Sequence, residues 1–452
     1  MIILTGAWLL FNVLFFWTNS IIDSYFYWAF AHFLQTGTYP FAAPFIYARP
    51  TTISPPLYSA LLLVTGFLPH PDILIRLFQT ALLAASGYLL FRILEKALGR
   101  HLAEIASCLF ILIPGNTVFA DYLLTETLAQ FFVILLAYLL IQKKISAYGY
   151  AIILTALATL SKYSLIIYAA PAGLFFFRKK QWIRYSIYPV VAAVILAAWV
   201  FMNWQITGVV GLSDTKGIQL YNQIVWIGQT APRETSAAMK TLRRYVPASI
   251  NIKKAYWDLQ GYILPHVGNS WPAVDKILGA VAFEAVREHP LTYAINTVHI
   301  FIALHGPVAP YWINIGDFGK IQGPYPLFCG KLGTFLMCAP VIRLPGIQNF
   351  WDSYISFSTV FYRYAFSLFS YAIFFPSLFL GLFSKSDIRK KLSFFYFLGV
   401  IPIAMYVHPD TRYILPFYPL YAGISALGLQ AFFRATKRLW PANGRRAGGI
   451  AK

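Results

Sequence analysis

Runs of apolar residues recur along the whole chain between short polar breaks. Most of them approach the roughly 20 residues that cross a bilayer as an α-helix. Basic residues punctuate the runs: nineteen of the 36 Lys and Arg residues fall in five clusters. These are Arg92/Lys96/Arg100, Lys143/Lys144, Arg178/Lys179/Lys180/Arg184, Lys385/Arg389/Lys390/Lys391, and the tail from Arg434 to Lys452. Short loops rich in Lys and Arg stay in the cytoplasm, so the clusters give a threading order. Spans are predicted at 2–18, 73–94, 102–114, 123–142, 147–160, 164–177 and 185–206, with 358–383, 392–407 and 413–433 closing the chain. The outer face then receives 19–72, a turn at 115–122, the tight turn Ser161-Lys162-Tyr163, and the turn at 408–412. Both termini are expected in the cytoplasm.

Residues 207–290 break this pattern. They hold nine basic and six acidic residues and no apolar run of spanning length, which predicts a soluble segment on the outer face. A long loop crosses regardless of its charge. Parity then leaves two readings: either 291–309 and 326–342 both span, giving twelve spans, or neither does, giving ten. The expected fold class is an all-α polytopic membrane protein with an outer-face soluble segment. Its parts are an N-terminal transmembrane module (1–206, first outer loop 19–72), an outer-face segment (207–357), C-terminal transmembrane helices (358–434), and a basic cytoplasmic tail (435–452). Ile2 to Trp17 has no preceding Lys or Arg and no small-x-small cleavage site, so it is read as a retained first helix rather than a signal peptide.

Composition sharpens the picture. The chain is 58% hydrophobic and 12% charged, whereas soluble domains carry about 25% charged residues. The net charge of +20 would suggest nucleic acid in a soluble chain. Here the charge marks cytoplasmic loops, and a nucleic-acid partner is discounted. The three cysteines offer no metal spacing: Cys108 lies in an apolar run, and Cys329 and Cys338 could pair only in an oxidising compartment. There is no Walker A loop, GxGxxG or HExxH, which argues against an energy-coupled pump. Paired broken helices of the inverted-repeat transporter kind are also lacking.

Acids carry the chemical information because they are rare. Among the 16, Asp23, Asp72, Asp121, Glu126 and Asp410 occupy short outer turns or span ends. Asp23 follows Ser20 by three residues, the spacing of a capping box. The helix it opens is predicted to run to about Gln35, to stop at Gly37, and to lie in the membrane interface on its aromatic face. A capping role and a catalytic one are compatible. Asp121 reads as an N-cap of the fourth span. Glu126 lies a turn deeper, where burial costs more and a functional role gains weight. Arg49, Lys162 and Arg412 lie in three short outer segments where positive charge runs against the topogenic bias. Singly each could snorkel to headgroups. As a set beside outer acids, they suit an anion such as a phosphate, with His408 a further donor.

Three stretches together resemble the GT-C superfamily of integral-membrane glycosyltransferases, nearest the protein O-mannosyltransferase and lipid A aminoarabinose transferase branch. The first is Asp23 with Gly37-Thr38-Tyr39-Pro40 and Ser54-Pro55-Pro56-Leu57-Tyr58. The second is Leu124-Thr125-Glu126-Thr127-Leu128, and the third His408-Pro409-Asp410-Thr411-Arg412-Tyr413-Ile414-Leu415-Pro416. A fainter echo is Glu288-His289-Pro290-Leu291-Thr292-Tyr293. The resemblance implies inverting transfer of a sugar from a polyprenyl-phosphate donor to an acceptor hydroxyl on a lipid, glycan or protein, at the outer face of the plasma (inner) membrane. Asp23 would be the base, Glu126 would orient the acceptor or assist, and Arg49, Lys162, His408 and Arg412 would hold the lipid phosphate. Asp121 and Tyr58 would position acceptor or donor. Some members place a metal-binding acid before the Pro-Pro run. Here Arg49-Pro50-Thr51-Thr52-Ile53-Ser54 has none, so no metal ligand is assigned and the cofactor stays open. The rival class is a transporter or flippase of a lipid-linked anion, using the same cations without a base. A non-catalytic scaffold is a third reading.

Overall fold

The computed structural model describes residues 22–39, 52–68, 71–120, 122–178, 182–254, 256–305, 328–330, 334–336, 361–406 and 411–439, together with residues 6, 7 and 10. Helices dominate. In chain order they are α1 Ile22–Thr36, α2 Pro56–Gly66, α3 Pro71–Leu98, α4 Arg100–Leu112, α5 Pro114–Ala120, α6 Glu126–Ile141, α7 Ile145–Ser161, α8 Ala169–Phe177 and α9 Ile187–Thr207. Segment 207–290 supplies α10 Lys216–Tyr221, α11 Ala237–Leu242, α12 Tyr256–Ile263 and α13 Trp271–Glu288. Then come α14 Pro290–Ala303, α15 Tyr364–Leu382, α16 Asp387–Tyr406 and α17 Tyr418–Leu439. Prolines open α2 and α14 at first-turn positions that need no N–H donor. Gly37 ends α1 at φ +71°, as its sequence position predicts, with its N–H on the Phe33 carbonyl.

The fold is an all-α polytopic membrane bundle. Ile73–Leu98, Ile187–Thr207 and Tyr364–Leu382 are long and apolar enough to cross a bilayer. The outward side chains of α9, Ile187, Val190, Val194 and Phe201, are more than half exposed, as on a lipid-facing surface.

The two ends of the bundle are chemically distinct. At one end Lys143 Nζ lies 3.0 Å from Asp387 Oδ2, with Lys391 Nζ 3.4 Å from the same oxygen. Two of the predicted inner clusters therefore meet on one carboxylate. At the other end of α6, whose 16 residues rise about 24 Å, lie the segments predicted to face outward.

Several expectations are corrected. The turn at 115–122 is largely the short helix α5. Residues 326–342 do not supply a helical span among the described residues: Phe328–Gly330 and Thr334–Leu336 pair as an antiparallel hairpin with Cys329 opposite Phe335. Three-residue strands are too short to cross a bilayer. Helix α1 does not lie out in the interface. Phe26 through Ala31 are all buried, with Tyr27 edge-on to Tyr58 at 5.2 Å and Phe30 edge-on to Trp199 at 5.8 Å. Its apolar face meets protein instead of lipid, two partners that its sequence pattern does not distinguish. Span 2–18 and the tail after Leu439 lie outside the described residues, apart from residues 6, 7 and 10, as do the side chains of Cys329 and Cys338; Cys108 is buried and free.

Helix α14 packs antiparallel to α16. Tyr293 Oη donates to the Met405 carbonyl at 3.1 Å, Phe301 stacks on Phe397, and His305 reaches the Tyr396 hydroxyl. The chain thus descends beside α16 from its far end to about its midpoint. Within 207–290, α10 crosses α13 at Gly217 and Gly279, where a Cβ on either would come within 3 Å of the other helix's backbone.

Candidate active site

Glu126 is the first residue of α6 and is buried. A carboxylate there is favoured by the unpaired amides of the helix start. Its Oε1 lies 3.6 Å from Lys162 Nζ. Lys162 sits where α7 stops and a 3₁₀ turn over Tyr163–Tyr168 begins, at φ −154° and ψ +112°. That extended residue turns its side chain out of the helical path. The same ammonium stands 5.2 Å from the centroid of the Tyr413 ring, within cation–π range. Tyr413 belongs to the 3₁₀ helix Thr411–Phe417, which Gln130 fastens to α6 one turn below Glu126. Its Nε2 donates to the Leu415 carbonyl at 3.1 Å and to Asn116 Oδ1 at 2.8 Å.

Segment 19–72 reaches the same place through Tyr27 and through Thr52. Tyr27 Oη hydrogen-bonds Thr125 Oγ1, the residue before Glu126, at 3.2 Å. Asp23 is the second residue of α1, one helical turn before Tyr27. Tyr163 Oη donates to the Thr52 carbonyl at 3.0 Å, tying the residue after Lys162 to the stretch that follows Arg49.

Tyr58 is fully buried. Its hydroxyl donates to Gln79 Oε1 at 2.7 Å, and Gln79 Nε2 donates to the carbonyls of Ala120 and Tyr122 at 2.7 and 2.9 Å. Tyr58 thus acts through Gln79 on the backbone that flanks Asp121. Arg412 immediately precedes Tyr413 in the 3₁₀ helix. Arg49, Asp121 and His408 lie outside the described residues. The structure therefore brings Glu126 and Lys162 into contact, and sets the backbones of Asp23 and Arg412 next to residues that touch them or their neighbours.

Sequence reading missed several participants. Asp214, buried within 207–290, accepts from the N–H and the hydroxyl of Thr52, each at 3.2 Å, while the Thr52 hydroxyl also donates to Asn203 Oδ1 at 2.6 Å. Asp214 and Thr52 are 162 positions apart, and nothing local announces the pairing. Gln223 Nε2 donates to the Ala404 carbonyl at 2.7 Å, so it and Tyr293 satisfy two of the last carbonyls of α16, a few residues before 408–412 in sequence. Tyr413 lies inside the motif quoted for Arg412, and its place beside a cation could have been sought there.

Within 207–290, Asp275 accepts from the Ile218 N–H at 2.8 Å and caps α10 from a neighbouring helix. Burial, reinforced by Asp214, pushes its carboxyl up to about 6. The Arg243 guanidinium holds Glu234 below the usual carboxylate range through bonds of 2.8 and 3.1 Å. Among the described residues no group of three or more His, Cys, Asp or Glu is placed to hold a metal ion. No step below is routed through one.

No family model matches the chain, and neither does any curated protein. Among solved structures it is similar to the oligosaccharyltransferase of Archaeoglobus fulgidus, in its apo form, at 14% identity and a TM-score of 0.47, over 99% of this chain and 52% of that one. The chain spans about half the length of that transferase. The same figures hold for that enzyme, AglB, in complex with an inhibitory peptide and a dolichol-phosphate. ArnT from Cupriavidus metallidurans, bound to undecaprenyl phosphate, is similar at 11% identity and a TM-score of 0.38, over 99% of this chain and 81% of that one. The chemistry of this chain rests on its own side chains.

Proposed function

We propose that the chain is an integral-membrane glycosyltransferase of GT-C type that moves a sugar from a polyprenyl-phosphate donor to an acceptor hydroxyl, with inversion, at the outer face of the membrane. The observation that carries this reading is the Glu126–Lys162 contact, 3.6 Å at one end of the bundle, with the segments of Asp23 and Arg412 gathered around it. An acid and a cation from separate outer turns meet there, as an acceptor and a lipid phosphate require.

In the proposed reaction the acceptor oxygen attacks the anomeric carbon while the bond from that carbon to the phosphate oxygen breaks. The acceptor proton passes to the Asp23 carboxylate, acting as general base. The electron pair of the broken bond stays on the departing phosphate, where Lys162, Arg412 and Arg49 offset the developing charge. Glu126 orients Lys162 and, through it, the phosphate. Asp121 positions the acceptor, and the Tyr58–Gln79 strut fixes the carbonyls of its neighbours Ala120 and Tyr122. The soluble segment 207–290 covers the site and selects the acceptor, a role suited to a long functional insertion.

The test is release of polyprenyl phosphate from a panel of polyprenyl-phosphate sugars, using an envelope extract as acceptor source. Release by the wild-type chain and not by a folded Asp23→Asn variant supports the transferase and its base. Equal release by both moves the base to another acid, Glu126 first. No release from any donor, with an acceptor shown to be competent, sinks the transferase in favour of a flippase.

A further inference from the structure

The junction of α13 and α14 lies where the bundle leaves the bilayer. Tyr293, in the first turn of α14, bonds the Met405 carbonyl, one residue from the end of α16. Helix α16 has 20 residues, about 30 Å, and its opposite end carries the Asp387 cluster. Arg287 and Glu288, just before α14, are thus at headgroup depth. Below them Leu291, Ile295, Val298 and Ile302, between 41 and 72% exposed, form one stripe of α14 at helical spacing, as a lipid-facing side does.

Immediately above that stripe the charges are unbalanced. Across 233–244 and 284–288 five Lys and Arg stand against three Glu, and each of these acids has a fixed position. Glu284 accepts from the Ala238 N–H at 3.1 and 3.2 Å, docking the start of α11 on α13. Glu288 accepts from the Arg233 N–H at 2.8 Å, and Glu234 is held by Arg243. Arg233, Lys240, Arg244 and Arg287 are exposed, and none forms an ion pair among the described residues. One turn before Arg287 on the same side of α13, Phe283 is 66% exposed.

We propose that this face of the soluble segment binds the phosphates of anionic lipid headgroups in the adjoining leaflet. Guanidinium forks suit phosphodiesters, basic residues near a surface are drawn to anionic lipid, and an exposed aromatic ring suits the interfacial layer. Docking fixes α11, and with it the soluble segment, against the membrane. The proposal does not depend on the reaction proposed above.

The test is hydrogen exchange of the full chain in nanodiscs of phosphatidylcholine alone and of phosphatidylcholine mixed with phosphatidylglycerol. Exchange across 236–244 is expected to slow about fivefold in the anionic discs, and less at high salt. The difference should vanish in a variant carrying Arg233→Gln, Lys240→Gln, Arg244→Gln and Arg287→Gln, with exchange in α16 unchanged as proof of folding. Should that variant not fold, Lys240→Gln with Arg244→Gln alone should reduce the difference. Equal exchange of the wild type in both discs overturns the proposal, as does a difference that survives the substitutions. Full protection by inorganic phosphate in neutral discs overturns the lipid assignment.

Discussion

Lys162 Nζ stands 3.6 Å from Glu126 Oε1, and the two side chains come from opposite directions: one from the residue after α7, the other from the first residue of α6. Both are largely shielded from solvent. Removing one member of such a pair strands the other charge, which typically costs about 3–5 kcal/mol. Lys162→Met is therefore expected to lower the unfolding temperature and abolish transfer. Lys162→Arg keeps the charge and should retain most of the stability and part of the transfer. Equal thermal stability of wild type and Lys162→Met would show that the contact is not a load on the fold.

Gln223 and Tyr293 hold the last carbonyls of α16 from two different elements. A buried carbonyl left without its donor costs about 1–3 kcal/mol. Gln223→Ala is expected to speed hydrogen exchange in the final turn of α16 and to reduce transfer through residues 408–412 that follow it in sequence, while exchange in α6 stays unchanged. An unaltered final turn would mean that the carbonyl finds another donor without cost.

That the clusters at Lys143 and Lys391 share one end of the bundle was legible in short-range charge, and both lie on Asp387. The stop of α1 was legible too, through Gly37. Its burial was not, since the same aromatic stripe serves against lipid or protein. At the candidate site, Glu126 and Lys162 stood out as charges in apolar surroundings. Asp214 did not, because its partner Thr52 is an uncharged residue in another part of the chain. Gln79 and Gln223 escaped notice for a similar reason: they act by satisfying distant backbone carbonyls, which no local spacing encodes.

Asp275 gives segment 207–290 a pH dependence. Its carboxyl is pushed up to about 6 by burial, above the ordinary aspartate value of about 3.9. The folded state therefore binds more protons than the unfolded one between these values. The corresponding stability is present below about pH 4 and is lost as pH rises through about 6, at most about 3 kcal/mol in all. Asp275→Asn removes the titration and keeps an oxygen for the Ile218 N–H. Denaturant unfolding between pH 4 and 7 should show a falling contribution in the wild type and a flatter profile in the variant. A wild-type profile as flat as the variant's would contradict the burial argument.

Gly399 lets α16 approach the 3₁₀ helix that carries Arg412 and Tyr413. A Cβ there would lie 2.0 Å from Phe417 Cε1 and 2.7 Å from the Tyr168 hydroxyl, which itself donates to the Phe395 carbonyl one turn earlier. Gly399→Ala must push the Phe417 ring away, and overpacking of this kind costs about 1–3 kcal/mol. Because Phe417 ends the segment Thr411–Phe417, the displacement is transmitted toward Tyr413 and so to the Lys162 ammonium. Gly399→Ala is expected to lose both stability and transfer, and adding Phe417→Leu should restore part of each by making room for the methyl group. If Phe417→Leu only adds to the damage, the close approach at Gly399 is not what sets the position of the 3₁₀ helix.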